Sequence, residues 1–293
     1  MRSVRVLGDL TDDVRRAQLD AVAHAVRARG ADASSSGGTS PEDARAAAEA
    51  AVADGCDRLI AVGGDGVVHL AINAVATTAT VLGLVPIGTG NDFARALGLL
   101  DGDGDVDTHV DRALSDGVPV DGIRTDHGWV ATVATLGFSG DVTARANSLR
   151  WPTGSQRYTV ATLLQLPRLR AIDATVKVDG MNVGADTSLL SVGNTSWFGG
   201  GMKICPDARP DDGLLHVVNI AAVSRRRFVR VFPTVFSGRH VRRDDVTTAS
   251  GTVATIDGPS EIELWADGEL LGPLPVRLEL IPGAVQVAGA VLR

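Results

Sequence analysis

The sequence predicts an α/β amino-terminal domain with a mostly parallel sheet, followed by an all-β sandwich. Three observations carry this reading. Over the first ~120 residues, apolar strand-like runs alternate with helix-like stretches, as in a parallel sheet. Two glycine turns, GGDG at 63–66 and GTGND at 88–92, each follow such a run and precede a helix signal. After Gly122 the pattern changes to short β-rich runs separated by Asp-Gly turns. The boundary is therefore placed at 122, giving domains 1–122 and 123–293.

Each element has its own signal. Residues 4–7 are a short apolar strand. Residues 12–29 have acids in front, Arg27 and Arg29 behind, and Gly30 as a stop, with Ala17, Ala21 and Ala25 at helical spacing beside Val22 and Val26. SSSGGTS, at 34–40, reads as a flexible surface loop. In SPEDARAAAEAAVADG, Ser40 is a good N-cap, Pro41 suits the first helical position, and Gly55 ends the helix. Residues 59–62 form a strand, 67–77 a helix and 81–85 another strand, before IGTGNDFARALG opens a helix at Asn91. ATVKVDGMNV, LLSVG, LLHVVNI, IELWADGEL and PVRLELI supply strands of the second half. Asp179-Gly180, Asp257-Gly258 and Asp267-Gly268 all read as tight hairpin turns.

Composition narrows the function. The 293 residues are 44% hydrophobic but only 4% aromatic, so the cores are built mostly of Ala, Val and Leu. A net charge of -7 argues against nucleic acid as the main partner. Cys56 and Cys205 are far apart, match no metal spacing, and read as reduced core residues of a cytoplasmic protein. The opening MRSVRVLGDL lacks a signal-peptide core. No apolar stretch approaches the roughly 20 residues of a membrane span, so any lipid contact is expected to be peripheral. DGDGDVD at 101–107 has Val106 and Arg112 where an EF-hand needs Gly and Glu, and reads as a solvated acidic loop. His69 reads as a helix-surface or packing residue.

The two glycine turns belong together. Both fall at the carboxyl edge of the parallel sheet, where open α/β sheets bind ligands. Glycines let the backbone approach phosphate oxygens, and helix N–H groups point at them. No Walker lysine is present, since the whole chain has only Lys177 and Lys203. Thr89 adds a hydroxyl donor, and Asn91 can donate or accept. Asp65 and Asp92 repel phosphate and are expected to organise magnesium through water. One such turn is usually plain geometry; two about 25 residues apart point to a ligand site.

AVGGDGVVHLAINAV followed by LGLVPIGTGNDFARALG resembles the catalytic domain of diacylglycerol kinases and their soluble bacterial lipid-kinase relatives. The resemblance continues in FGGGMKICPDARPDDGLLHVVNI at 198–220 and LWADGELLGPLPV at 264–276, in the family's order. NAD kinases share a GGDG turn but lack GTGNDFAR and the later blocks. The resemblance implies a nucleotide-binding domain like that of phosphofructokinase and NAD kinase, and a β-sandwich lipid-substrate domain. In relatives the final strand, here about 285–292, can return to the first domain.

Site residues are carried over position by position. Gly63, Gly64, Asp65, Gly66 and Val67 match the phosphate loop for ATP; Gly88, Thr89, Gly90, Asn91 and Asp92 match its second loop. Asp267 matches the proposed general base, with Glu269 supporting it or contacting substrate. Asp212 matches the side-chain ligand of a structural Mg²⁺, with the carbonyls of Arg209 and Leu214 as candidates beside it. By the residues alone, both aspartates sit in ordinary turns. The implied function is ATP- and Mg²⁺-dependent phosphorylation of a membrane lipid, foremost diacylglycerol to phosphatidic acid. A kinase for a sphingoid base or phosphatidylglycerol stays open, as do a non-catalytic nucleotide-binding regulator and a homodimer.

The chain also departs from the pattern. Many members end the first strand with an Asn-Pro-x-Ser-Gly turn that touches ATP, where this chain has LGDLTDD. The usual phosphate-loop threonine and later Asn-Glu pair are replaced by Val67, His69 and Leu70. Backbone N–H groups remain as the main ligands, so weaker nucleotide binding is expected. SRRRFVRVFPTVFSGRHVRR, at 224–243, has seven arginines, no acid, and Phe228, Phe232 and Phe236 at i, i+4 spacing. It reads either as a solvated helix with inward phenylalanines or as a surface for anionic membrane.

Overall fold

The structure is a computed structural model and describes residues 3–100, 105–149, 151 and 156–292. Residues 101–104 of the acidic run lie outside the described residues. The chain divides into two compact units, Met1–Gly122 with Pro282–Arg293, and Ile123–Ile281.

In the first unit, β1 (Ser3–Asp9), α1 (Asp13–Ala28), β2 (Asp32–Gly38), α2 (Pro41–Ala53), β3 (Arg58–Gly63), α3 (Asp65–Val75) and β4 (Val81–Pro86) follow in order. The strands pair in parallel as β2-β1-β3-β4. Asp12 caps α1 by accepting from Arg15 N at 2.9 Å, and Ser40 caps α2 by accepting from Asp43 N at 3.1 Å. Val4, Val6, Leu19, Val22, Val26, Ile60 and Val62 meet in one core. Burial of each larger side chain stabilises by about 1.5–3 kcal/mol. The serine-rich segment is not a loop but the edge strand β2, paired with β1 from Asp32 to Gly38. Backbone pairing overrides the poor strand propensity of SSSGG. Gly37 is required there, because a Cβ would overlap the carbonyl oxygen of Gly8. Short helices α4 (Asp92–Ala96) and α5 (Val106–Leu114) complete the unit before β5 (Gly117–Thr125).

The second unit holds β6 (Gly128–Val130), β7 (Val133–Gly137), α6 (Phe138–Ser148), α7 (Gln156–Gln165), β8 (Thr175–Val178), β9 (Met181–Gly184), β10 (Thr187–Gly193), β11 (Leu215–Ala221) and α8 (Arg225–Val231). It continues with β12 (Val246–Gly251), β13 (Val253–Asp257), β14 (Glu263–Ala266), β15 (Glu269–Pro273) and β16 (Val276–Ala288). One sheet runs β12-β11-β10-β7-β14-β15; in the other, β13 lies between β16 and β8. Val176, Val178, Ala254, Ile256 and Leu278 of one sheet pack on Leu190, Val192, Leu215, Val217 and Leu264 of the other. The outer face of the six-stranded sheet is covered as well. Leu189, Val218 and Ile220 pack there with Phe138 and Val142 of α6, Ala161 of α7, and Phe228 and Val231 of α8. Side chains alternate across a strand, so β10 and β11 feed two cores, which is why both read as unbroken apolar runs.

The strand-based reading of this half missed α6 and α7, whereas α8 falls within the segment 224–243 that one reading of the sequence made a helix. Two of the Asp-Gly turns are hairpins: 179–180 joins β8 to β9 and 267–268 joins β14 to β15, with both residues of each pair at positive φ. That is the type I′ geometry that favours Asp-Gly. Asp257-Gly258 is not a hairpin, because β13 and β14 belong to different sheets. The last strand is also longer than its apolar end suggests. Residues 276–279 of β16 pair with β13, and Gln286 and Val287 pair with Val81 and Leu82 of β4. The second unit accordingly ends at Ile281 rather than at the last residue. Among the described residues, no helix is long and apolar enough to cross a membrane.

Candidate active site

The two glycine turns meet in the first unit. They line one cavity of about 320 Å³, to which Gly63, Gly64, Asp65, Val67, Gly88, Thr89 and Gly90 all contribute. Gly64 is the N-cap of α3 and supplies no side-chain cap, so N–H groups of the first turn lack acceptors inside the helix. A Cβ on Gly88 would overlap Gly64 Cα, and one on Gly64 would lie 3.3 Å from Gly88 Cα. Glycine is therefore what lets the turns touch. Asp65 Oδ1 accepts from Asp92 N at 2.7 Å and ties them together.

Three expected contacts are used otherwise. Asn91 is left-handed at φ 51°, and its Nδ2 donates to Gly88 O at 2.7 Å, so the side chain holds the turn. Asp92 is buried, with Oδ1 3.7 Å from Arg95 Nε, and it is not part of the cavity wall. A carboxylate this buried is better placed beside a guanidinium than in an anion site. Of the two acids expected beside magnesium, Asp65 lines the cavity and Asp92 does not. Gly66, in the first turn of α3, does not line it either.

The opposite wall is formed by Gly8, Asp9, Arg15, Gln18 and Leu19; the resemblance pointed to LGDLTDD as a turn beside ATP, but sequence reasoning did not name Arg15, Gln18 or Leu19. Asp9 ends β1, and its carboxylate pairs closely with the Arg15 guanidinium. Asp9 Oδ1 also accepts from Thr11 N at 2.8 Å. Arg15 brings a cation to a site that has no lysine. Parallel order was the available signal, since it puts the end of β1 beside the end of β3.

In the second unit, Asp267 stands at the first position of the β14–β15 turn. Its carboxylate accepts from Ala131 N at 2.9 Å, Thr132 N at 2.8 Å and Thr132 Oγ1 at 2.6 Å. The 131–132 segment is held in turn by Asn194, whose Nδ2 donates to Ala131 O at 3.1 Å and whose N donates to Thr132 O at 2.8 Å. Asp267 is thus fixed in orientation. It lines a narrow cleft with Thr135, Phe198, Gly199 and Trp265. Glu269, at the start of β15, is exposed.

Asp212 Oδ1 accepts from Leu214 N at 2.9 Å, and Oδ2 lies 2.9 Å from His216 Nε2. Asp211 pairs with Arg209 Nε at 3.3 Å. Among the described residues, no group of three or more His, Cys, Asp or Glu side chains gathers as a metal cage. The Asp212 carboxylate is a hard oxygen donor of the kind magnesium takes. His216 competes there for Oδ2. Cys205 is buried, and burial pushes its thiol pKa up, so it stays a neutral packing group. His69 is also buried, with its ring 3.3 Å from Asn73 Nδ2.

Comparison with known proteins gives two matches along the chain. Residues 12–121 match the diacylglycerol kinase catalytic domain, and residues 132–289 match the YegS C-terminal NAD kinase beta sandwich-like domain. A diacylglycerol kinase of Mycobacterium tuberculosis (strain CDC 1551 / Oshkosh) is 40% identical over 272 residues, covering 88% of this chain and 85% of that protein. A diacylglycerol kinase of Bacillus subtilis (strain 168) is 28% identical over 238 residues, covering 80% and 78%. Two crystal structures from Bacillus anthracis str. Sterne share the fold, with TM-scores of 0.77 and 0.70 at 20% and 17% identity; both span 98% of this chain and 96% of their own, and the second is described as a diacylglycerol kinase.

Proposed function

Because this chain belongs to the diacylglycerol kinase family, whose relatives are lipid kinases, we propose that it transfers the γ-phosphate of ATP to the hydroxyl of diacylglycerol, giving phosphatidic acid. The observation that carries the reading is the contact of two glycine turns around one 320 Å³ cavity. That volume falls at the small end of ligand pockets. The backbone of 63–67 and 88–90 takes the phosphates, with Thr89 as hydroxyl donor and Arg15 as cation. Val67 faces the cavity with a side chain that donates nothing, which favours modest nucleotide affinity.

Asp267 is the base in this proposal. Held by Ala131 and Thr132, it orients the lipid hydroxyl and takes its proton as the oxygen bonds to the γ-phosphorus. The bond from that phosphorus to the bridging oxygen breaks, and ADP leaves. Phosphoryl transfer depends mainly on positioning and charge neutralisation, so a fixed carboxylate suits it. Magnesium supplies charge neutralisation when bound; Asp65 and the Asp212 turn are the residues that would hold it. Glu269, exposed beside the turn, contacts the lipid in this proposal.

Transfer of labelled γ-phosphate from ATP to a panel of lipids in mixed micelles tests this. Phosphatidic acid as the main product supports the assignment. Preference for a sphingoid base or phosphatidylglycerol would move the substrate within the family. Nucleotide binding without transfer to any lipid would make the chain a regulator.

A further inference from the structure

We propose that the arginine-rich segment 224–243 is a docking surface for an anionic bilayer, carrying both the charges that attract it and the apolar tips that enter it. The proposal gives the lipid-kinase reading a route to its substrate, but its test needs neither nucleotide nor turnover.

The segment is not one helix. It folds as α8, a 3-10 turn over Phe232–Val235 and another over Arg239–Arg242. The three phenylalanines divide between core and surface. Phe228 is 1% exposed and meets Phe138 edge-on at 4.6 Å; Phe232 stacks on Phe228 at 5.7 Å; Phe236 meets Phe232 edge-on at 6.1 Å. This ladder leads out of the core and ends in a ring that is 50% exposed. Val229, 48% exposed, lies on the outer side of α8. The inward and membrane-facing readings of the sequence therefore apply to different phenylalanines of the same ladder.

The arginines are not arranged for the stability of the helix. Arg225, Arg226 and Arg227 fill the first turn of α8, where the helix dipole disfavours cations, and no acid accompanies them. Ser224 offers no side-chain cap bond. Asp245 pairs with Arg227 at 2.8 Å and Arg243 at 3.4 Å. Among the described residues, no carboxylate lies within ion-pair distance of Arg225, Arg226, Arg230, Arg239 or Arg242, and all five are exposed. A chain of net charge -7 thus gathers uncompensated cations at one place.

A bilayer matches both features. Anionic headgroups meet the guanidinium groups, and the acyl boundary just beneath receives Phe236 and Val229. Phosphates of a nucleic acid would leave the apolar tips without a role. A protein interface needs a contiguous apolar centre, whereas here two half-exposed tips stand among cations.

The test is flotation of the full chain with phosphatidylcholine vesicles, alone or mixed with phosphatidylglycerol, without nucleotide. Binding is expected only to the anionic vesicles and to weaken with added salt. Replacing Arg225, Arg226 and Arg230 together with Gln is expected to weaken it by roughly a hundredfold, the combined effect of three cations near the bilayer. Arg227 is left in place because it anchors Asp245. Phe236→Ser is expected to weaken binding about tenfold while leaving the salt dependence unchanged. A control with Arg16→Gln and Arg45→Gln, on the other unit, should bind as the parent does. Thermal unfolding identifies any variant that is misfolded, and the Phe236→Ser result then stands for the segment. Equal binding to neutral and anionic vesicles would overturn the proposal. So would parent-like binding by the triple variant, or equal loss in the control. If the triple variant instead abolished a concentration-dependent dimer seen in sedimentation, the surface would belong to a second copy of the chain.

Discussion

Asp65 Oδ1 accepts a hydrogen bond from Asp92 N at 2.7 Å and so joins the first residues of two helices that follow different strands. The bond gives both acids a structural place. Asp65 uses one oxygen to brace the second turn, while Asp92 turns its side chain toward Arg95. The two turns face the cavity with backbone and with the side chains of Asp65, Val67 and Thr89.

Gly88→Ala is expected to separate the turns, because the added methyl would overlap Gly64 Cα. Nucleotide affinity should fall by at least about tenfold, the cost of losing one or two backbone donors. Gly64→Val should act in the same direction, since a branched side chain would crowd Gly88. Titration with a fluorescent ATP analogue measures both, and circular dichroism should show unchanged secondary structure.

Arg15 and Asp9 should give opposite signs. Arg15→Gln removes the one cation that lines the cavity among the described residues and should weaken nucleotide binding by about tenfold. Asp9→Asn removes the carboxylate that competes for Arg15 and repels phosphate, so affinity should hold or rise. Weakening by both to the same extent would assign the pair to local structure.

Asp267→Asn should reduce turnover by at least about a hundredfold, the lower range for general-base removal. Nucleotide affinity should stay within about twofold. The amide must turn an NH₂ toward Ala131 or Thr132, costing about 1–3 kcal/mol of stability. Thr132→Val loses the 2.6 Å hydroxyl bond but keeps the carboxylate. If it lost as much turnover as Asp267→Asn, the aspartate would be a clamp on residues 131–132 and not the base.

His240 should make the fold acid-sensitive. Burial holds its pKa below the usual histidine range, against the pull of the Ile204 carbonyl 2.9 Å from Nε2. The unfolded chain therefore binds the proton more readily. Stability is complete above the unfolded value of about 6.5 and falls as pH drops below it toward the folded value, by at most about 1.4 kcal/mol per pH unit for this group. His109 is shifted the same way, chiefly by burial. Urea midpoints across this range should decline, and His240→Gln should remove part of the decline.

Much was legible from residues 1–100, where short-range rules coincide. Ser40 and Pro41 mark a helix start, Gly30 a stop, and the two glycine turns stand at the ends of apolar runs. Gly64 and Gly88 could be named from sequence because a phosphate turn needs backbone close to the ligand. Asp179-Gly180 and Asp267-Gly268 were legible as hairpins because positive φ restricts the residues that can occupy them. What tertiary structure decided was the direction and partner of each side chain. Asn91 and Asp92 look like ligands in GTGND, yet one braces Gly88 and the other meets Arg95. Asp9 and Arg15 carry no motif and enter the cavity wall only because β1 lies beside β3. SSSGG became a strand through hydrogen bonds to β1, a partner about 30 residues away that no local propensity encodes. Phe228 and Phe236 share one sequence pattern but end in core and solvent, because the helix tightens into a 3-10 turn after Val231. Local backbone preference is written along the chain, whereas the partner that satisfies a polar group, or covers an apolar one, exists only once distant segments have packed.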